Sequence, residues 1–181
     1  GRYDKRQLVP FGEYVPPAFG WFVRMMNIPL GEFARGGPDQ PPVRIDGQAF
    51  AFDICYEDLF PGLLRRQVLG GATVLVNVSN IAWFGDSHAL GQHLNISRMR
   101  AIGLGRPMLR ATNTGMTASI DPSGRVLAAL APLTRGALDV EVRGTVGETP
   151  YARFGHWPAA AFAIAWLLAQ GAWRRRAARK S

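Results

Sequence analysis

The chain has 181 residues, 48% of them hydrophobic, which is enough for a globular domain with a buried core. Its formal net charge is +8, but the last eight residues supply five of those charges, through Arg174, Arg175, Arg176, Arg179 and Lys180. The rest of the chain is only mildly basic, so we expect no nucleic acid partner. One cysteine excludes a disulfide within the chain.

Loops dominate the first forty residues. Residues 1–17 are predicted to be an extended loop punctuated by proline, and residues 31–42 a second loop rich in glycine and proline. The apolar segment between them, 18–30, is predicted to be either a short core helix or an exposed arm that contacts lipid. Methionine and aromatic side chains suit both roles.

Strand and helix patterns follow over residues 43–142. Asp46 and Gly47 predict a tight hairpin turn. Strands are predicted at 43–45, 48–54, 73–78, 108–112, 116–120, 126–130 and 138–142, and helices at 61–69 and 87–104. Helices that alternate with strands, followed by a meander, predict an α/β layered sandwich. The chain has no glycine-rich nucleotide-binding motif, and we predict no cofactor.

The C-terminal part divides into three predicted pieces. Residues 145–156 are predicted to be a linker. Residues 157–173 carry no charge, have a tryptophan at each end and precede the arginine cluster. This pattern predicts a transmembrane helix followed by a basic cytoplasmic tail at 174–181. The alternative is a buried, alanine-rich helix of a soluble domain.

Cys55 is the candidate nucleophile, because it ends an apolar, strand-like run just before a Pro-Gly pair that opens a helix. A thiol reacts as its thiolate, which a nearby cation, a helix N-terminus or a general base favours. Lys5 is the candidate cation, and the backbone N–H of Tyr56 is a candidate oxyanion donor. Glu13 or Glu57 would relay protons or hold the lysine. The alternatives are a buried apolar cysteine, a solvated lysine, and glutamates that act only as caps or surface charges.

The histidines give weaker patterns. His88 and His93 are five residues apart on a predicted helix, a poor spacing for two metal ligands, so we predict structural or surface roles and no metal site. Asp86, Ser87 and His88 contain the residue types of a hydrolase triad. Adjacency in sequence is not triad geometry, however, and the chain has no GxSxG turn.

Several motifs together give the chain a family resemblance. They are, in order, residues 3–5 (YDK) with 8–16 (LVPFGEYVP), 54–57 (ICYE), 77–80 (NVSN) with 82–87 (AWFGDS), 92–94 (QHL) with 98–101 (RMRA), and 106–115 (RPMLRATNTG). On these residues the chain resembles the apolipoprotein N-acyltransferases, a family among the nitrilase-like carbon–nitrogen hydrolases. A general nitrilase-like amidase would not share the LVPFGEYVP run. Ile81 departs from the family pattern, in which many relatives are expected to have aspartate.

The resemblance implies a nitrilase-like α-β-β-α sandwich whose N-terminal portion is missing. Residues 1–144 would be the C-terminal part of this catalytic domain, which transmembrane helices hold outside the cytoplasm. The family's general-base glutamate lies upstream of its lysine and would precede Gly1. We therefore expect the chain on its own to be inactive.

The resemblance also implies a Glu–Lys–Cys triad. Lys5 matches the family's lysine and Cys55 its nucleophile. Glu13, Tyr56 and Glu57 match further positions that the family needs. These assignments add to the chemistry inferred above from the residues themselves.

The implied activity transfers a fatty acyl chain in two steps. The cysteine accepts the chain from a phospholipid as a thioester and passes it to the N-terminal amine of diacylglyceryl-cysteine in an apolipoprotein. Implied partners are the phospholipid donor, the diacylglyceryl-lipoprotein acceptor and the membrane. The implied location is the bacterial inner membrane, with the catalytic domain in the periplasm and the C-terminus in the cytoplasm. The residues expected to contact lipid, unless they pack in the core, are Trp21, Phe22, Met25, Met26, Trp83 and Phe84.

Two alternatives to this activity stay open. One is a nitrilase-like amidase that acts on a small amide. The other is a catalytically silent, membrane-anchored binding module. The tryptophan-bounded segment favours the acyltransferase over the amidase, because a soluble amidase needs no such anchor.

Overall fold

A six-stranded mixed sheet organises the part of the chain that the computed structural model describes, which is residues 1–16, 20–25 and 33–178. The spatial order of the strands equals their order in the sequence. They are β1 (Val43–Ile45), β2 (Gln48–Ile54), β3 (Val74–Ser79), β4 (Met108–Thr112), β5 (Ala118–Ile120) and β6 (Val126–Ala129). The predicted α/β class is confirmed.

Three central strands, β2, β3 and β4, run parallel, and the outer pairs are antiparallel. Asp53 pairs with Asn77, and Asn77 pairs with Arg110, so the three form one row across the sheet. The carboxyl ends of parallel strands meet at the same edge of a sheet, where α/β proteins place their sites. The residues after β2, β3 and β4 therefore converge at this edge.

The hairpin between β1 and β2 is the predicted one. Asp46 has φ 46° and Gly47 has φ 78°, so both adopt the left-handed backbone of a two-residue turn. This turn sets the register in which Val43 faces Phe50. Strand β2 ends at Ile54, and Cys55 follows it immediately.

Two helices cover one face of the sheet. The helices of the described residues are α1 (Gly20–Met25), α2 (Pro61–Leu69), α3 (Ala89–Leu104), α4 (Pro150–Phe154) and α5 (Trp157–Ala178). Pro61 opens α2 at a position where no intrahelical N–H partner is needed. Leu64 of α2 and Leu104 of α3 are fully buried against Leu75 and Met108 of the sheet. Burial of each such side chain contributes about 1.5–3 kcal/mol.

The prediction of a strand at 138–142 is wrong. The segment alternates apolar and acidic residues, but it pairs with no strand of the described sheet, which ends at β6. Residues that alternate between apolar and polar form a half-buried strand only where a neighbouring strand supplies hydrogen-bond partners. Within the segment predicted as a linker, 145–156, helix α4 forms and buries Ala152 completely.

The prediction of a transmembrane helix at 157–173 is not supported. Residues Trp157–Ala178 do form a helix, α5. None of the helices in the described ranges combines the length and the apolarity that a membrane span requires. Seven of the seventeen predicted residues are alanine, which adds less hydrophobicity than leucine or isoleucine. The alternative of a buried helix is not seen either, because Phe162 and Leu167 of α5 are about 70% exposed.

Two other predictions fall partly outside the described residues. The apolar segment 18–30 is described only over 20–25, where α1 forms, and Trp21 and Met25 are exposed there. Of the basic tail, residues 179–181 lie outside the described ranges. The described residues form one sheet, whereas the implied α-β-β-α sandwich has two.

Candidate active site

Cys55 lies on a sharp turn at the end of β2. Its φ is 55°, a left-handed conformation that costs a non-glycine residue about 1–2 kcal/mol. A short 3-10 turn, Cys55–Leu59, follows at once and is called the Cys55 turn below. The thiol is partly exposed, and its Sγ lies 3.5 Å from the carbonyl oxygen of Asn80. Strained backbone of this kind is found at functional sites, where the surrounding structure enforces it.

Glu57 ties the N-terminal segment to the Cys55 turn. Its Oε1 accepts hydrogen bonds from the backbone N–H groups of Arg6 (2.7 Å) and Gln7 (3.0 Å). Its Oε2 accepts from the Tyr3 hydroxyl (3.0 Å) and from the N–H of Ile54 (2.8 Å). Burial, with the Glu57 carboxylate, raises the pKa of Tyr3 and keeps this phenol protonated. Glu57 is fully buried, and these four donors satisfy both of its carboxylate oxygens.

Lys5 belongs to the segment that Glu57 holds, and Glu13 binds its ammonium group. Lys5 Nζ donates to Glu13 Oε1 at 2.6 Å, and the Lys5 side chain is only 13% exposed. The second oxygen of Glu13 accepts the N–H of Val9 at 2.8 Å. Because the next two residues after Lys5 bind Glu57, the lysine backbone lies beside the Cys55 turn. The structure thus brings the lysine, both glutamates and the cysteine turn into one region.

Tyr56 follows the cysteine within the same turn. Its ring packs edge-on against Phe60, with 5.2 Å between the ring centroids. The ring is partly exposed. The assignment of the Tyr56 N–H as an oxyanion donor stays a prediction.

The loop after β3 supplies the other wall of the site. Asn80 Oδ1 accepts from Asn113 Nδ2 (2.7 Å), and Asn113 Oδ1 accepts from the N–H of Ile81 (3.1 Å), so the loops after β3 and β4 are joined. Ile81, the departure from the family pattern, is fully buried. Trp83 and Phe84 extend from this loop and are 86% and 54% exposed.

A buried polar cluster lies beneath the Cys55 turn, and the sequence analysis missed it. Its members are Asp53 of β2, Asp58 of the Cys55 turn, Asn77 of β3, His93 and Ser97 of α3, and Arg110 of β4. Burial, with the neighbouring Asp58, raises the pKa of Asp53 well above its ordinary value. Three of these residues interrupt strands that are otherwise apolar, and that was the signal available in the sequence.

The two helix histidines differ in their surroundings. His88 is exposed. His93 is partly buried, and its Nδ1 meets the guanidinium Nη2 of Arg110. Burial, with the nearby Arg110 charge, lowers the pKa of His93 to about 4. The ring is therefore neutral at pH 7, and its Nδ1 accepts the bond from the arginine.

A cleft of about 410 Å³ lies on the α2 side of the N-terminal segment. Tyr3, Arg6, Arg66 and Gln67 line it, together with residues of the loop 37–42. Cys55 does not line this cleft. The cleft is therefore no guide to where an acyl chain would lie.

The chain is similar to several known proteins. Residues 1–151 match the family profile described as carbon-nitrogen hydrolase. A protein of Ralstonia nicotianae named apolipoprotein N-acyltransferase is 56% identical over 179 residues, which is 97% of this chain and 34% of that protein. Its namesake in Bordetella bronchiseptica is 55% identical over 181 residues. The chain spans about a third of the length of these relatives.

One solved structure shows the fold. An amidase from Nesterenkonia sp. AN1 aligns with a TM-score of 0.50 and 22% identity, over 72% of this chain and 47% of that one. At this identity the likeness supports a nitrilase-like fold and nothing finer.

Proposed function

This chain belongs to the carbon–nitrogen hydrolase family, and on that premise we propose that Cys55 carries a fatty acyl chain from a phospholipid to the N-terminal amine of a lipoprotein. The observation that carries the proposal is the Cys55 turn itself. A partly exposed thiol lies on a left-handed backbone, and the buried carboxylate of Glu57 ties the segment that carries Lys5 to the same turn. The relatives named apolipoprotein N-acyltransferase supply the substrate class.

The first proposed step forms a thioester. The Cys55 sulfur attacks the ester carbonyl of the phospholipid, the ester C–O bond breaks, and the thiol proton ends on the departing lysophospholipid hydroxyl. Lys5 and the Tyr56 N–H would stabilise the oxyanion that forms on the carbonyl oxygen. Glu13 keeps the ammonium group of Lys5 in place through the 2.6 Å ion pair.

The second proposed step transfers the acyl group to nitrogen. The α-amine of diacylglyceryl-cysteine attacks the thioester carbonyl, the C–S bond breaks, and one amine proton returns to the sulfur. The product is an amide, and the enzyme regains its thiol. Two successive transfers through one covalent intermediate predict ping-pong kinetics.

The remaining parts of the proposal concern lipid and location. Trp21, Met25, Trp83 and Phe84 are exposed and are proposed to contact acyl chains. Because both substrates are membrane lipids or lipid-modified proteins, the proposed location is the bacterial inner membrane, with the site on the periplasmic side. A second sheet that completes the α-β-β-α sandwich is part of the same proposal.

The experiment compares Cys55→Ala with the unchanged sequence in the intact protein. After incubation with a phospholipid that carries a labelled acyl chain, mass spectrometry should find the chain on Cys55, and a diacylglyceryl-cysteine peptide should then remove it. Cys55→Ala should abolish both the adduct and the transfer, whereas His88→Ala, at an exposed site, should retain them. Acyl transfer by Cys55→Ala would refute the proposal. Release of ammonia from small amides without any lipid adduct would favour the amidase instead.

A further inference from the structure

The polar cluster beneath the Cys55 turn has no part in the two transfer steps above. Asp53 and Asp58 precede and follow the nucleophile by two and three residues, and both are fully buried. A buried ionised carboxylate destabilises a protein by several kcal/mol unless charge and hydrogen bonds compensate it. The way in which these groups are compensated therefore indicates what the cluster does.

Two arms of hydrogen bonds leave Arg110, and one ends on Asp58 and the other on Asp53. In the first, Arg110 Nη1 donates to Ser97 Oγ (2.6 Å), which donates to Asp58 Oδ2 (2.5 Å). In the second, Arg110 Nη1 donates to Asn77 Oδ1 (3.2 Å), and Asn77 Nδ2 donates to Asp53 Oδ1 (3.1 Å). A hydrogen bond between the Asp53 and Asp58 carboxyl groups, each of which has one buried oxygen without a partner, would complete the second arm. The second arm closes only if a proton lies between them.

The atoms that lack other partners locate this proton. Asp53 Oδ2 and Asp58 Oδ1 are buried and have no other hydrogen-bond partner. Asp58 already faces the Arg110 guanidinium at 3.4 Å, whereas Asp53 accepts only the neutral amide of Asn77. The negative charge is therefore better compensated on Asp58. Burial raises the pKa of both carboxyl groups, and that of Asp53 stands well above its ordinary value.

We propose that Asp53 and Asp58 share one proton at neutral pH, with Asp53 as the acid and Asp58 as the carboxylate, and that this pair positions the Cys55 turn over Arg110. The two carboxyl groups anchor the chain on both sides of the left-handed cysteine. Arg110 also acts electrostatically on Cys55. With one shared proton the charges of Asp58 and Arg110 cancel, so the pair itself adds no second negative charge near a thiolate. The other charged or titratable groups that face the pair or the arginine are Glu57, Tyr3, Arg100 and His93.

This assignment predicts opposite outcomes for two isosteric variants. In Asp53→Asn, the side-chain oxygen still accepts from Asn77, and the new NH₂ donates to Asp58 in place of the proton. In Asp58→Asn, the NH₂ either faces the Ser97 and Arg110 donors or donates to Asp53, which must then give up its proton. The first change keeps every hydrogen bond and leaves the negative charge beside Arg110, whereas the second either breaks an arm or moves that charge from Asp58 to Asp53.

The test measures alkylation of Cys55 by iodoacetamide in the intact protein, from neutral to alkaline pH. It rests on the proposed function only in treating Cys55 as the reactive thiol, and it requires neither lipid nor lipoprotein. Asp53→Asn should keep the alkylation rate within about twofold. Asp58→Asn should change it by about tenfold, the effect of one pKa unit, with a displaced pH profile. If Asp58 only stabilised the fold, Asp58→Asn would change the alkylation rate without displacing its pH profile. That result would overturn the positioning role.

Infrared spectroscopy of the unchanged protein and of Asp53→Asn supplies a second readout that does not depend on whether Asp58→Asn folds. A protonated-carboxyl band should be present at neutral pH in the unchanged protein and absent from Asp53→Asn. The absence of this band from the unchanged protein would overturn the shared proton. So would a Cys55 alkylation rate that changes as much in Asp53→Asn as in a folded Asp58→Asn. If the asymmetry holds while acyl transfer is absent, only the proposed function fails.

Discussion

Replacing Glu57 with glutamine should loosen the junction between the N-terminal segment and the end of β2. Each carboxylate oxygen of Glu57 accepts two hydrogen bonds, Oε1 from the N–H groups of Arg6 and Gln7, and Oε2 from Tyr3 and Ile54. Glutamine retains one oxygen and places an NH₂ where the other was. If the NH₂ replaces Oε1, two buried N–H groups face a donor, and if it replaces Oε2, the Ile54 N–H does, because the Tyr3 hydroxyl can turn and accept.

The expected magnitude follows from that count. A hydrogen bond to a charged group contributes about 1.5–3 kcal/mol, so losing one or two lowers the free energy of unfolding by about 1.5–6 kcal/mol. That is a large share of the roughly 5–15 kcal/mol that holds a typical domain folded. Urea unfolding of the intact protein measures it, with Cys55 alkylation as a local probe of the turn.

Glu141→Gln is the matched control for this experiment. Glu141 pairs with Arg143 on the surface, where its side chain is 80% exposed. An exposed ion pair contributes at most about 1 kcal/mol, so this variant should unfold nearly as the unchanged protein does. If Glu57→Gln also lost less than about 1 kcal/mol, the argument that Glu57 holds the two segments together would be wrong.

Two further predictions concern Lys5 and His93. Lys5→Ala should reduce acyl transfer almost as much as Cys55→Ala, because it removes the cation and leaves Glu13 without its 2.6 Å partner. Acyl transfer by Lys5→Ala at the level of the His88→Ala control would exclude Lys5 from the chemistry. For His93, the pKa in the folded protein, about 4, lies below the ordinary 6.5, so its contribution to stability is present above pH 6.5 and is lost as the pH falls through 4. The free energy of unfolding should therefore fall less between pH 7 and pH 5 in His93→Asn, which keeps an acceptor for Arg110, than in the unchanged protein. An equal fall in the two proteins would contradict the assignment.

The strand and turn around Cys55, the proposed nucleophile, were easier to predict from the sequence than the residues that hold them. An apolar run that ends on Cys55 predicts a strand followed by a turn, and both formed. Lys5 is fifty residues away, and nothing in its spacing shows that the chain returns to the same place. That return depends on the buried carboxylate of Glu57, which binds backbone groups of residues 6 and 7. Backbone donors leave no mark in the side-chain pattern.

The polar cluster was missed for a related reason. Asp53, Asn77 and Arg110 are each visible in the sequence as a polar residue within an apolar strand. They form one row only because β2, β3 and β4 are parallel and in a particular register, which periodicity does not specify. The wrong strand at 138–142 shows the same limit, because alternation describes one strand and not its neighbour.

Consecutive acidic residues in the Cys55 turn act in opposite directions. Glu57 binds the N-terminal segment that carries Lys5, while Asp58 binds Arg110 in the interior of the sheet. Both are buried, and they restrain the chain from two sides immediately after a residue whose backbone is unfavourable by about 1–2 kcal/mol. Strained backbone persists only where the surrounding structure over-determines it. The strained conformation of Cys55 should therefore persist only while both carboxylates keep their partners.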